Sequence, residues 1–229
     1  MPKRDKIPAL HAQWETVMMI VATFATGIID AVGYLGFDKI FTANMTGNVI
    51  VLGMGLAGND ELPVMGPLIA LAAFFIGALL CGRLLRNAEG GWSRPVRRFF
   101  LVEAIILLCA GLILLRVRLE PDSSVLYIFT FIVACVLGGQ ASAARKVGVK
   151  DVTTVVVTST ITGLASDSRM AGGAGQRSAR KIAAVASIIA GATVGGLLHR
   201  IVGDGWGVIA TALVLFAMLA ADAVMTARG

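Results

Sequence analysis

The chain has 229 residues, 57% of them hydrophobic and 15% charged, with a formal net charge of +6. So little charge over this length excludes an ordinary soluble domain. Repeated apolar stretches near bilayer thickness predict a polytopic membrane protein built as one membrane domain, with the lipid bilayer as its surroundings. The basic excess sits in short segments between apolar stretches and forms no stripe with interleaved aromatics, so nucleic acid is not an expected partner.

In chain order, Met1 to Gln13 is polar and no small-residue cleavage site follows a short apolar core. The first apolar stretch is therefore read as an uncleaved span rather than a signal peptide. Six stretches read as full transmembrane helices, at about 14–36, 63–85, 98–118, 124–144, 180–200 and 205–226. Two others, at about 40–57 and 152–166, carry polar segments. The first contains Phe41-Thr-Ala-Asn-Met-Thr-Gly-Asn48, and the second contains Val157-Thr-Ser-Thr-Ile-Thr-Gly-Leu164. The second falls short of the ~20 residues a helical span needs.

Basic residues arbitrate between crossing and turning back. If both polar segments are re-entrant and the N-terminus is cytoplasmic, sixteen Lys and Arg lie inside and four outside; if both cross, the count is ten against ten. The positive-inside bias selects the re-entrant arrangement, with both termini cytoplasmic in a cell inner (plasma) membrane. Each half then reads span, re-entrant segment, span, span, as repeats at about 14–118 and 124–228. Three full crossings per half invert one repeat against the other. Gly27-Ile-Ile-Asp30-Ala31 parallels Gly138-Gly139-Gln140-Ala141, each upstream of a Thr-Gly segment. This is the pattern of an inverted-topology repeat, with the two re-entrant elements expected to meet near the midplane. Ala183, Ser187, Gly191 and Gly195 recur every fourth residue, as do Ala73, Gly77 and Cys81. Such rows permit close helix approach, either within the chain or across a homodimer.

The runs Gly27-Ile-Ile-Asp-Ala-Val-Gly-Tyr-Leu-Gly36 and Phe41-Thr-Ala-Asn-Met-Thr-Gly-Asn-Val-Ile-Val-Leu-Gly53 resemble the hallmark of the YoaK family. Leu137-Gly-Gly-Gln-Ala141 through Val157-Thr-Ser-Thr-Ile-Thr-Gly163 is similar to that family's second landmark, with Ala141 where such proteins often carry Asn. The resemblance implies a small bacterial inner-membrane protein whose domain has no known function, and it supplies no substrate or mechanism.

Asp30 lies late in the first span, where an ionisable residue costs about 2.5–3.5 kcal/mol to insert and so faces an interior or cavity. It can serve as a coupling or gating carboxylate, with Gln140 at the corresponding place. It can equally cap the free N–H groups of a nearby half-helix. Asn44, Thr46, Gly47 and Asn48 form the densest polar group. A half-helix starting there would favour an anion at its N-terminus. Thr158, Thr160, Thr162 and Gly163 would complete a substrate site from the other side; alternatively the two segments only satisfy one another. Glu103 and Asp222 read as interfacial or paired with loop arginines.

Cys81, Cys109 and Cys135 stand alone in apolar stretches, and His11 and His199 form no motif, so neither a metal nor a cofactor is expected. No nucleophile elbow, zinc-protease motif or phosphate loop occurs, so an enzyme is not the leading reading. The expected fold is all-α and polytopic. The expected function is a secondary transporter or channel-like permease for a small polar or anionic solute. A membrane scaffold, sensor or assembly partner is the alternative, and a lipid-modifying membrane enzyme the third.

Overall fold

The computed structural model describes residues 6–59, 61–149, 157–173 and 178–228. Residues 150–156, including Thr153 and Thr154 of the second polar segment, and Asp60 lie outside the described residues. Within them the secondary structure is helical throughout: α1 (Lys6–Gly36), α2 (Met45–Leu56), α3 (Met65–Leu84), α4 (Arg94–Leu114), α5 (Ser124–Val147), α6 (Val157–Ser166), a 3-10 turn (Arg169–Ala171), α7 (Ser178–Ile201) and α8 (Asp204–Arg228).

Local signals set several boundaries. Ser123 accepts the Leu126 N–H at 3.1 Å to start α5, and Gly148, at φ 75, ends it in the left-handed conformation that suits glycine. Proline near the start of α4 uses a position whose N–H has no helical partner. The threonines of α1 bond back to their own helix: Thr16, Thr23 and Thr26 donate to the carbonyls of Ala12, Met19 and Ala22. Those hydroxyls thus stay satisfied inside the bundle.

Five helices are long and apolar enough to cross a membrane: α1 over Ala12–Gly36, α3, α5, α7, and α8 over Asp204–Ala227. The fourth helix has 21 residues but carries Arg94, Arg97, Arg98 and Glu103, so it is not among the five. The second has 12 residues, too few to span a ~30 Å hydrocarbon core, and the sixth has 10 among the described residues. Large apolar side chains on the outer faces, such as Phe75, Leu79, Leu80 and Ile189, are exposed, as lipid contact requires. The central helix is α1, whose Met18, Met19, Ala22, Ala25, Ile28, Ile29 and Val32 are all buried.

Two tight seams organise the bundle. Along α1 and α7, Ser187 Oγ donates to Ile20 O at 2.8 Å. One turn further along both helices, Gly191 lies against Phe24 O, and a turn beyond that Gly195 lies against Ile28 O. Both chains advance together, so α1 and α7 are parallel. A β-carbon at Gly191 or Gly195 would collide with backbone. The row Ser187, Gly191, Gly195 is therefore an intramolecular seam. Between α3 and α5, Gly77 lies against Cys135 O and Gly138 against Phe74 O. The first seam repeats this pair, with Gly191 against Phe24 O and Gly27 against Ile188 O.

The pairing pattern as a whole is nearly unchanged when α1–α4 are exchanged for α5–α8. The α1–α7 pair maps onto α5–α3, α2–α3 onto α6–α7, and α1–α8 onto α5–α4, while α4–α8 and α1–α5 map onto themselves. The exception is α7 on α8, which has no equally packed counterpart. Opposite ends of the bundle are tied by different loops. At one end Trp92 N donates to Glu15 at 2.9 Å, Trp14 Nε1 to Asp222 at 2.9 Å, and Gly91 N to Lys146 O at 3.4 Å. At the other, Lys39 Nζ donates to Glu61 O at 2.7 Å. The connections before and after α2 therefore meet at one end of the bundle.

Candidate functional site

The first polar segment is a built turn. After Gly36 the chain reverses through Asp38 and Lys39, at φ 54 and 60, left-handed values uncommon outside glycine. It folds back beside α1, where Gly33 leaves space for Ile40 O and the Thr42 side chain. Residues 41–44 thus reach the level of Asp30, six residues or about 9 Å below the end of α1. One carboxylate oxygen, Asp30 Oδ1, accepts Thr42 N at 2.9 Å, Ala43 N at 2.6 Å and Thr42 Oγ1 at 3.2 Å. Hydrogen bonds to a charged acceptor contribute about 1.5–3 kcal/mol each.

The remaining motif residues close the turn. Asn44 is the N-cap of α2 and accepts Gly47 N at 3.2 Å. Asn48 is fully buried; its Oδ1 accepts Phe41 N at 2.9 Å and its Nδ2 donates to Phe41 O at 2.7 Å. The Phe41 ring occupies the place a Gly47 side chain would take and stacks on Tyr34 at 4.7 Å. Thr46 is exposed and Asn44 half-buried. Asp30 and Asn44, with Gly27, Phe41, Ile188 and Ala192, line an open groove of about 370 Å³ between α1, α2 and α7.

The second segment is held differently. Thr160 is buried, while Thr158 and Thr162 are exposed, and Thr162 Oγ1 donates to Thr158 O at 3.0 Å within α6. At the C-terminal end of that helix Lys181, 2% exposed, donates to Gly163 O at 2.9 Å and to Asp167 at 2.6 Å. An ammonium there complements the negative end of the helix dipole. Gly163 leaves the room this needs: a β-carbon would come within 3.1 Å of Lys181 Nζ. Sequence reasoning counted Lys181 only as a loop charge. The available signal was its register, on the same face of α7 as the buried Ala184, Gly191 and Gly195.

Gln140 joins neither segment. Its Nε2 donates to Thr26 Oγ1 at 2.9 Å and approaches Ala22 O at 3.5 Å, pinning α5 to α1. In the register set by the two seams Gly27 matches Gly138, so Asp30 matches Ala141 and Gln140 matches Ile29. Among the described residues α2 packs on α3 and α6 on α7 rather than on one another. Residues 41–44 reach only the level of Asp30, about 9 Å back from the end of α1.

Two further carboxylates differ in their surroundings. Asp222, buried, accepts Trp14 Nε1 at 2.9 Å and lies 2.9 Å from Arg97 Nε, an ion pair with a residue at the start of α4. Glu103, 1% exposed, departs from the interfacial or arginine-paired position expected from the sequence: neither of its oxygens has a hydrogen-bond partner among the described residues.

Comparison with known proteins places the chain. The family described as "Protein of unknown function (DUF1275)" matches residues 18–221, and the chain belongs to it. It is 28% identical over 157 residues to the UPF0700 transmembrane protein YoaK of Bacillus subtilis (strain 168), covering 68% of each chain. No solved structure matches. The five long apolar helices and the transmembrane relative together identify an integral membrane protein.

Proposed function

We propose that this member of the DUF1275 family is a secondary transporter or channel-like permease for a small polar or anionic solute, working by movement of two inverted repeats against each other. In this reading α4 is the sixth span, because it runs against α8 and brings Gly111 onto Gly205. The short helices α2 and α6 are re-entrant from opposite faces. The end that carries Arg83, Arg86, Arg97 and Lys146 faces the cytoplasm, with both termini, in the cell inner membrane.

The single observation that carries the reading is the exchange symmetry: parallel glycine seams repeated between α1–α7 and α5–α3, each repeat holding one polar, broken element. Inverted repeats with discontinuous helices are the architecture on which alternating access is built. Solute would enter the groove beside Asp30 and contact Asn44 and Thr46, and Asp30 would couple or gate through the α2 turn it anchors. Thr158, Thr160, Thr162 and Gly163 would form the counterpart element of the other repeat, with Gln140 holding the two repeats in register.

A second reading has its own observation. The polar groups of the first motif largely bond one another and Asp30, as a non-transporting scaffold or sensor would need. Flux assays on protein reconstituted in liposomes separate the two. The transport reading expects solute or proton movement that Asp30→Asn alters. No flux across a broad panel of anions and metabolites, with folded protein present, selects the scaffold.

A further inference from the structure

Glu103 is a carboxyl group in the interior of the bundle with no hydrogen-bond partner among the described residues. It lies on α4, six residues or about 9 Å deeper than Arg97, which is engaged with Asp222 at the end of the bundle. Its side chain is 1% exposed, and neither oxygen meets a donor among the described residues. Buried beside it in sequence are Phe100, Ala104 and Leu107 of the same helix, and Leu215 and Met218 belong to the antiparallel α8. An ionised carboxylate in such a setting lacks the cation and the N–H donors that normally compensate a buried charge, as far as the described residues go. A carboxylic acid carries no net charge and can occupy the same space.

The charged and titratable groups on the surrounding helices are few. The Cys81 thiol of α3 lies near Glu103 and is not a cation. The carboxylate of Asp222 on α8 is held by Trp14 and Arg97. On α5 the buried polar groups are the Thr130 hydroxyl, without a partner among the described residues, and Gln140, which donates to Thr26; the Cys135 thiol of that helix is half-buried. Arg145 and Lys146 lie in the last turn of that helix, at the end of the bundle where α4 begins; Arg145 is exposed and Lys146 donates to Arg86 O. No cation among these is placed to neutralise Glu103.

We infer that Glu103 is a proton-binding site in the interior of the bundle, separate from the Asp30 turn. The ligand is the proton itself, carried as the neutral acid while α4, α5 and α8 are packed as they are here. Because the interior disfavours the bare carboxylate, release of that proton requires water or a cation to reach it, so its protonation reports opening of the α4 seam. The inference stands whether or not the chain transports a solute.

Two measurements on the full chain in phospholipid nanodiscs test it. The first is infrared difference spectroscopy of wild type against Glu103→Gln, an isostere of the neutral acid. The expected result is a protonated-carboxyl carbonyl band at neutral pH that the variant lacks. A carboxylate band lost in its place would overturn the inference. The second needs no variant. Dicyclohexylcarbodiimide, a lipid-soluble reagent, takes the carboxylic proton onto a nitrogen as the carboxyl oxygen adds to its central carbon, and the adduct rearranges to a stable acylurea. Peptide mass spectrometry should place that adduct on Glu103, with labelling that falls about tenfold per pH unit above the site's midpoint. No Glu103 adduct at any pH, or labelling indifferent to pH, contradicts the assignment.

Discussion

The two short helices are anchored by opposite charges at opposite ends. A carboxylate on the preceding long helix, Asp30, holds the N-terminal turn of α2, and an ammonium on the following one, Lys181, holds the C-terminal end of α6. Each charge matches the sign of the helix end it meets. Neither has a counterpart: in the seam register Asp30 corresponds to Ala141 and Lys181 to Pro67. The two halves of the chain therefore share helix pairing and close-packed glycines, while the chemistry at their short helices differs. Any function that depends on a carboxylate in the α2 turn belongs to one half alone.

The largest expected effect tests what the halves share. Gly77→Val and Gly191→Val each place a side chain against backbone in equivalent seams, and each should destabilise by about 3 kcal/mol or prevent folding. Thermal unfolding in nanodiscs reads this. A large loss in one seam and none in the other breaks the symmetry argument.

The next effects test what they do not share. Asp30→Ala leaves the Thr42 and Ala43 N–H groups without their acceptor and should cost about 2–3 kcal/mol. Lys181→Met should cost less, about 1–2 kcal/mol, because its ion-pair partner Asp167 is largely exposed. If Lys181→Met proves the costlier, the α2 turn is not the more tightly fixed of the two. The smallest effect is a control. A side chain at Gly53 of α2 would meet nothing within 4 Å, so Gly53→Ala should be tolerated or stabilise by up to about 1 kcal/mol. Loss of stability there would mean that another surface covers α2.

Much of this was legible in the sequence. The six apolar stretches correspond to α1, α3, α4, α5, α7 and α8, because uninterrupted hydrophobicity over a bilayer's length leaves few alternatives. The Asn-Met-Thr-Gly-Asn run marked a helix start correctly, since Asn44 caps α2 and Gly47 supplies the amide it accepts. Long-range partners were not legible. Nothing near Lys181 in the chain announces Gly163, and nothing near Glu103 reveals that the arginines five to nine residues before it are elsewhere engaged or exposed. How far the turn before α2 reaches back along α1 was also hidden, because it depends on the reversal at Asp38 and Lys39. The Gln140 match failed by one residue, a shift that only the Gly27 and Gly138 contacts resolve.

The central claim is that α2 turns back without crossing the membrane. Single cysteines at Asp38, Asn59 and Gly90, in a chain whose own cysteines are replaced, test it by labelling with an impermeant thiol reagent from each side. The account predicts that positions 38 and 59 react from one face and position 90 from the other. Labelling of positions 38 and 59 from opposite faces would make α2 a crossing segment and remove the inverted repeat.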